Sequence, residues 1–339
     1  MRPIFRKILS LLALSSAVVV QSSCAAMDSH DKGYSAHPSA QGLIDELVAE
    51  GFEAAQVKDT LARAKRQESI LRAMSRPAEK RLDWGGYSKI FLQPKRIERG
   101  ALFWQQNAET LARAEKTYGV PAEVIVAIIG VETHFGRIMG NYRVLDALAT
   151  LGFDYPRRAE FFREQLKQYF ILARDEQLDM LAVKGSYAGA MGYGQFIPSS
   201  YKNFAVDFDA DGQRDLLGNT TDAIGSVANY FASHGWKTGE AVVSAALLQQ
   251  PVDKALINAG LKPELTLQQW AEKGVLPAEE FAPDQKATLI RLKSGEEQQF
   301  LLGLNNFYVI TRYNRSRLYA MAVHQLSREI RAAYDSRRP

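Results

Sequence analysis

Val124-Ile125-Val126-Ala127-Ile128-Ile129-Gly130-Val131-Glu132 is the stretch whose reading decides the fold. Gly119-Val120-Pro121 precedes it, and Pro121 with Glu123 supplies a helix start. The helix that follows is apolar on every face, so it must lie in the middle of a folded domain rather than on its surface. Outward from it the helical pattern continues. Leu43, Ile44 and Leu47 share one face, as do Val57, Leu61 and Ala64, and periodicity returns from Gly100 to Tyr118. Further helices are expected over 159–182, 222–235 and from about Tyr319 to Ala333. Arg76-Pro77 and Trp84-Gly85-Gly86 read as interruptions. Strand signals come late. Ala287 to Leu292 and Gln299 to Leu302 flank Ser294-Gly295 as a hairpin, and Phe307-Tyr308-Val309-Ile310-Thr311 reads as another strand. The fold class is therefore mainly α (α+β), with a small β element placed late in the chain.

At 339 residues the chain is long enough for two domains or for one domain with large additions. Its N-terminus reads as an export signal. Arg2, Arg6 and Lys7 precede an apolar run from Ile8 to Val20, too short to cross a membrane comfortably. Two processing readings compete for Gln21-Ser22-Ser23-Cys24-Ala25-Ala26. Cys24 is the lipid-accepting cysteine of a bacterial lipoprotein, favoured by the small residues before it, or a signal peptidase cuts near Ala26. Gln21 departs from the aliphatic residue that the lipid pattern prefers. No other cysteine exists, so the mature fold has no disulfide. The net charge is +4, and without the three leader cations it falls to +1. That balance argues against nucleic acid as the main partner, while leaving room for local basic patches. Residues 27–40 form a polar tether.

Three features carry chemistry. Glu132 is the only ionisable residue between Glu123 and His134, and a carboxyl at the end of an apolar helix loses hydration, which keeps it protonated to higher pH. Cleaving a glycosidic bond needs such an acid. A buried glutamate paired with a cation is the bland alternative. Second, Gly185, Gly189, Gly192 and Gly194 form a glycine-rich run whose backbone can approach a ligand and offer amides to sugar hydroxyls. A tight turn without ligand explains the same glycines. Third, Asp207, Asp209 and Asp211 followed by Gly212 match the opening of an EF-hand loop. Arg214 and Gly218 stand where a hydrophobe and a bidentate glutamate belong, so the loop is a lengthened one closed by Asp222. Other catalytic classes find no support. There is no H-E-x-x-H zinc motif, no mature cysteine and no G-x-S-x-G elbow, and His134 reads as structural.

These stretches resemble the membrane-bound lytic murein transglycosylase B family. The matching words are Ile129-Gly130-Val131-Glu132-Thr133, Leu145 to Leu151, Tyr155-Pro156-Arg157-Arg158-Ala159-Glu160, Lys184-Gly185-Ser186, Gly189 to Phe196, Asp222 to Tyr230, Asn306-Phe307-Tyr308 and Thr311-Arg312-Tyr313-Asn314. They recur in order from about residue 41 to 330. The resemblance implies a lysozyme-like catalytic core with an added helical domain and a small β insertion. Its bounds are a helical domain over 41–118, the core with its metal loop over 119–245, the insertion over 246–304 and a return to the core over 305–335. It makes Glu132 the sole acid/base for cutting between N-acetylmuramic acid and N-acetylglucosamine, leaving 1,6-anhydro ends. Ser186 corresponds to a residue that orients the glutamate or contacts substrate. Gln195, Tyr230, Tyr313 and Asn314 match groove residues, and Arg157 and Arg158 sit where the stem peptide passes. Asp207, Asp209, Asp211, the Gln213 carbonyl and Asp222 hold Ca²⁺ or Na⁺, with no organic cofactor. The expected partners are murein strands and a lipid anchor, for a periplasmic monomer tied to the outer membrane. A goose-type lysozyme hydrolase and a non-catalytic murein-binding protein are the rival functions.

Overall fold

The structure, a computed structural model, describes residues 33–75 and 82–337. The leader with Cys24 and the Arg76-Pro77 interruption lie outside the described residues. The first half is helical: α1 (Ala40–Ala49), α2 (Ala54–Ala62), α3 (Glu68–Ser75), α4 (Trp84–Phe91), α5 (Pro94–Gln106), α6 (Ala108–Tyr118) and α7 (Ala122–Thr133). Strand β1 (Tyr142–Arg143) leads into α8 (Val144–Asp154), and a 3-10 turn (Pro156–Arg158) into α9 (Ala159–Asp175). Strand β2 (Lys184–Gly185), α10 (Pro198–Phe204) and α11 (Thr220–Ser233) complete the centre. Then come β3 (Val243–Leu248), β4 (Leu265–Thr266), α12 (Leu267–Glu272), β5 (Val275–Pro277), β6 (Lys286–Ser294) and β7 (Glu297–Gly303). The chain returns through α13 (Asn305–Tyr313) and α14 (Arg317–Asp335).

Helix α7 occupies the place its composition demands. Val124 through Gly130 are all buried, and α5, α6, α11 and α14 pack around them. Burying each of Ile125, Ile128 and Ile129 contributes roughly 1.5–3 kcal/mol. Left-handed Gly119 (φ 69°) closes α6, and Glu123 in the first turn of α7 pairs with Arg331 of α14 at 2.7 Å.

The helices expected as one unit over 41–118 divide their packing. α1, α2 and α3 bury Leu47, Leu61 and Ile70 in a cluster with α8 and α9. α4, α5 and α6 join α7, α11 and α14 in another. Residues 33–40, expected as the end of a tether, are docked instead. Tyr34 is buried, stacks on Phe153 and donates to Asp154 at 2.5 Å. The strand expected at 307–311 is helix α13. Its apolar run owes its density to burial on two sides, with Phe307, Val309 and Ile310 all fully buried. Trp84-Gly85-Gly86 opens α4 rather than interrupting a helix, because Gly85 lies flat on Ser294. The helix expected over 100–118 is two, broken at Asn107, whose Nδ2 donates back to Phe103 O at 2.8 Å.

The late β element is a five-stranded antiparallel sheet in the order β4-β6-β7-β3-β5, with its own small core around Trp270, Leu289 and Leu302. The β6–β7 hairpin forms as expected, paired from Thr288↔Gly303 to Ser294↔Glu297. Asp83 ties it to α4 by accepting from Gly295 N–H at 2.8 Å and from Gly86 N–H at 2.9 Å.

Candidate active site

Glu132 stands in the last turn of α7, and the chain then stops the helix abruptly. His134, Phe135 and Gly136 are all left-handed, with φ of 49°, 62° and 79°. For the two non-glycine residues that conformation costs about 1–2 kcal/mol each. The surroundings hold them there. His134 N–H donates to Gly130 O and Phe135 N–H to Ile129 O, while Thr133 Oγ1 accepts from Gly136 N–H at 3.0 Å. The Phe135 ring folds back onto Gly130, where a side-chain carbon would lie 2.6 Å from Phe135 Cζ. Arg96 of α5 is buried and its guanidinium meets the His134 ring at 2.5 Å, so His134 is structural.

The Glu132 carboxyl is enclosed by tyrosines. Tyr319 of α14 donates to its Oε1 at 2.5 Å, and Tyr313 and Tyr87 lie close enough to feel its charge. Burial raises its pKa from 4.5 to about 7, and the Tyr319 hydrogen bond opposes that rise. No charged side chain contributes to the shift, so the paired-glutamate alternative fails among the described residues. The residue as a whole stays partly exposed, which leaves the acid reachable. Tyr313 and Tyr319 are themselves held well above the ordinary tyrosine value, first by burial and then by Glu132, so both remain neutral donors.

Tyr313 and Tyr230, two of the expected groove residues, join the glycine-rich run in one connected cluster. Tyr313 donates to Gly194 O at 2.6 Å, which ties α13 to the glycine-rich run. Tyr230 of α11 packs edge-on to Tyr313 with ring centroids 4.7 Å apart, and its hydroxyl donates to Arg312 O at 2.7 Å. Gln195, at φ 51°, uses its side-chain amide nitrogen on Met139 O and Gly192 O. Ser186 Oγ accepts from Ala188 and Ala190 N–H, so the hydroxyl bonded to Glu132 is Tyr319's and not Ser186's. Asn314 is exposed at the end of α13. The glycines of the run serve close packing within the protein. A side-chain carbon on Gly192 would meet Leu216 O at 2.2 Å. The run joins α7 through Thr133 Oγ1, 3.0 Å from Tyr193 O.

Arg157 and Arg158 lie apart from this cluster. They form the 3-10 turn at the far end of α8, about 16 Å along an 11-residue helix from the β1–β2 pair that directly precedes Ser186. Both are exposed, and Arg158 stacks 4.2 Å from the Phe161 ring centroid. Sequence reasoning missed Tyr87 and Tyr319. Tyr319 opens a helix whose apolar pattern disguises a functional hydroxyl, and Tyr87 follows the glycine pair taken as a break.

The two acids that follow Glu132 most closely in the chain, Asp146 and Asp154, are both engaged elsewhere. Asp146 is buried and accepts from Arg143 Nε at 3.0 Å and Lys65 N–H at 2.8 Å. Asp154 holds Tyr34 and Arg66. In the acidic loop, Asp207, Asp209 and Asp211 each bring one carboxylate oxygen within 4.8 Å of the others, a donor set suited to a hard cation. Asp222 is fully buried at the start of α11, and its oxygens accept from Phe208 N–H at 2.7 Å and Asp215 N–H at 2.8 Å. It clasps the two ends of the loop, with lone pairs remaining for an ion. Burial first, then Asp209 and Asp207, raise its pKa, the strain a bound cation would relieve.

A buried carboxyl with a raised pKa, ringed by tyrosines in a helical core, fits a polysaccharide-cleaving enzyme. The comparisons agree. Residues 35–328 match the family described as the transglycosylase SLT domain. The chain is 48% identical over 307 residues, 88% of its length and 84% of the relative's, to membrane-bound lytic murein transglycosylase B of Escherichia coli (strain K12). Among solved structures, catenated lytic transglycosylase SltB1 from Pseudomonas aeruginosa aligns with a TM-score of 0.86 at 49% identity, over 89% of this chain and 99% of that one. The Escherichia coli lytic transglycosylase Slt35 in complex with calcium aligns at 0.81 and 46% identity, over 90% and 97%. The chain belongs to the transglycosylase SLT family, with a lysozyme-like fold, and is a lytic transglycosylase. No described helix is long and apolar enough to cross a membrane.

Proposed function

We propose that this enzyme cleaves the β-1,4 bond between N-acetylmuramic acid and N-acetylglucosamine in murein, with Glu132 as its one acid and base. The observation that carries the reading is the solitary Glu132 carboxyl, raised to about 7 by burial, with Asp146 and Asp154 committed elsewhere. Most glycosidases that hydrolyse use a second carboxyl as base or nucleophile. Here Glu132 gives its proton to the glycosidic oxygen as the bond to C1 breaks. The positive charge developing at C1 is stabilised by the sugar's own acetamido oxygen. The Glu132 carboxylate then takes the proton of the muramic C6 hydroxyl as that oxygen bonds to C1. The proton count closes on Glu132, and no water enters. Intramolecular attack is favoured because the hydroxyl is already in place. Tyr319 holds the carboxyl by its hydrogen bond.

Ser186, Gln195, Tyr230, Tyr313 and Asn314 form the groove, in which Tyr230 acts from behind Tyr313. Arg157 and Arg158 meet the stem peptide further along the strand. Asp207, Asp209, Asp211, the Gln213 carbonyl and Asp222 hold Ca²⁺, which neutralises the clustered carboxylates and fixes the loop before α11. The calcium complex of Slt35 supports that choice over Na⁺. Cys24 carries the lipid that anchors a monomeric enzyme to the outer membrane from the periplasmic side, and the membrane-bound relative supports this.

The test is a digest of purified murein with products weighed by mass spectrometry. Muropeptides lighter by one water than hydrolytic products are expected from the wild type, and none from Glu132→Gln. Reducing ends alone would identify a lysozyme-type hydrolase.

A further inference from the structure

A cavity of about 500 Å³ opens where α5 begins. The cations Lys95, Arg96 and Arg99 line it, together with His134 and the apolar Ile90 and Pro94, and no acid does. Neither Glu132 nor any tyrosine around it belongs to the lining, so the cavity is separate from the reaction site. Arg96 is the unusual member, a guanidinium in a residue only 6% exposed. One of its nitrogens meets the His134 ring, and the Phe91 ring centroid lies 5.1 Å from its carbon. Its Nε and Nη1 are buried without a hydrogen-bond partner. Lys95, Arg96 and Arg99 make no ion pair among the described residues. Glu98, between them on α5, is exposed and reaches Arg337 instead, at 3.7 Å.

Every source of charge at this place has the same sign. Burial pulls the Arg96 pKa down, and no acid opposes it. Burial first, then Arg96, Arg99 and Arg137, lower the His134 pKa, so the ring is neutral and accepts from Arg96. The backbone adds to the field. The 13-residue α5 starts at Pro94 with no side-chain cap and no acid in its first turn, because the Gln93 amide donates to Lys89 O. The positive end of the helix dipole is thus left open at the cavity. A buried guanidinium without a counter-charge destabilises the fold that holds it. An anion in the cavity would supply that counter-charge and acceptors for the two orphan donors.

We propose that the cavity bounded by Lys95, Arg96, Arg99 and His134 binds a phosphate group, either free or as the monoester of a small organic molecule. A carboxylate presents two oxygens in one plane and suits a single guanidinium fork. Here the donors are spread over the first turns of α5 and the end of α7, and three cations are to be balanced. A tetrahedral dianion with several acceptor oxygens meets both demands. The cavity is larger than the anion alone requires, and its Ile90 and Pro94 side is apolar, which leaves room for the carbon skeleton of an ester. The proposal does not depend on the murein reading.

Scanning calorimetry of chelator-treated protein, in which the aspartate loop is no longer a variable, compares sodium phosphate with sodium chloride at equal ionic strength. Phosphate at tenfold excess over its Kd is expected to raise the melting temperature by about 3 °C over chloride. Glycerol phosphate at the same concentration separates the two sources: a larger rise assigns the cavity to an esterified group, and an equal or smaller one to free phosphate. Arg96→Met replaces the buried charge with an apolar chain. It is expected to melt no lower than the wild type in chloride and to lose the response to phosphate. Arg99→Gln keeps the buried charge and is expected to weaken phosphate about tenfold in a calorimetric titration; it carries the test alone if Arg96→Met melts lower. No rise beyond chloride, or a rise that the variants retain in full, overturns the site.

Discussion

Glu132→Gln is expected to make the folded protein more stable above neutral pH while disabling it. The wild-type carboxyl titrates at about 7 in the folded state against 4.5 when unfolded. A folded pKa raised above the unfolded one means that the folded state holds the proton more tightly. Its favourable contribution is complete below pH 4.5 and is lost as pH rises through about 7. At about 1.4 kcal/mol per pH unit, that interval amounts to about 3 kcal/mol, a ceiling because Glu132 keeps some exposure. Glutamine never ionises, so the variant escapes this loss. Its unpaired amide hydrogens cost something, but equally at every pH, and the Tyr319 hydroxyl still finds an oxygen acceptor. For a chain of this size 1 kcal/mol moves the melting temperature by about 2 °C, so the variant should gain up to about 6 °C on the wild type between pH 4.5 and 8.5. Differential scanning calorimetry of both proteins across that range reads the difference directly. A gap that stays constant with pH, or that moves against the variant as pH rises, refutes the claim that burial holds Glu132 protonated.

The same reasoning reaches neighbouring groups. Tyr319→Phe removes the bond that lowers the Glu132 pKa, so the alkaline limb of kcat/KM should move to higher pH while the rate falls about tenfold; a limb that moves down contradicts the assignment. Gly130→Ala forces a carbon to 2.6 Å from Phe135 Cζ and should cost about 1–3 kcal/mol in urea denaturation, with partial recovery when Phe135→Leu is added. Calcium added to chelator-treated protein should raise the melting temperature, by about 2.7 kcal/mol of stabilisation at a hundredfold excess over Kd, and no response to either Ca²⁺ or Na⁺ would remove the loop as a metal site. Labelled palmitate should enter the wild-type protein in bacteria and not Cys24→Ser; equal labelling of both, or none, ends the lipid reading.

The parts of this fold legible in the sequence are those where one local rule dominates. The all-round apolar helix at 122–133 announces its own burial, and the hairpin at 286–303 carries both alternation and a glycine turn. Glu132 stood out because a lone charge in such a helix has few explanations. The misreadings share a cause in tertiary context. Phe307 to Thr311 is apolar on both sides because α13 is wedged between other elements, which imitates a strand. The glycines before Tyr87 look like a break until Ser294 is seen lying against Gly85. Tyr87 and Tyr319 were invisible as site residues because proximity to Glu132 arises only when α14 closes on α7 and α4 packs on α14. The family resemblance supplied the groove residues; composition and spacing alone would not have.

The bond between Tyr319 and Glu132 spans 187 residues of sequence. A ribosome delivers the acid long before it delivers the hydroxyl, and α7 emerges as a bare apolar rod whose cover, α14, comes last. An unfinished chain therefore has the reactive glutamate but not the enclosure that keeps it protonated. Cutting power arrives only with the closing helix, so an enzyme able to breach the cell wall is inert until its synthesis is almost complete.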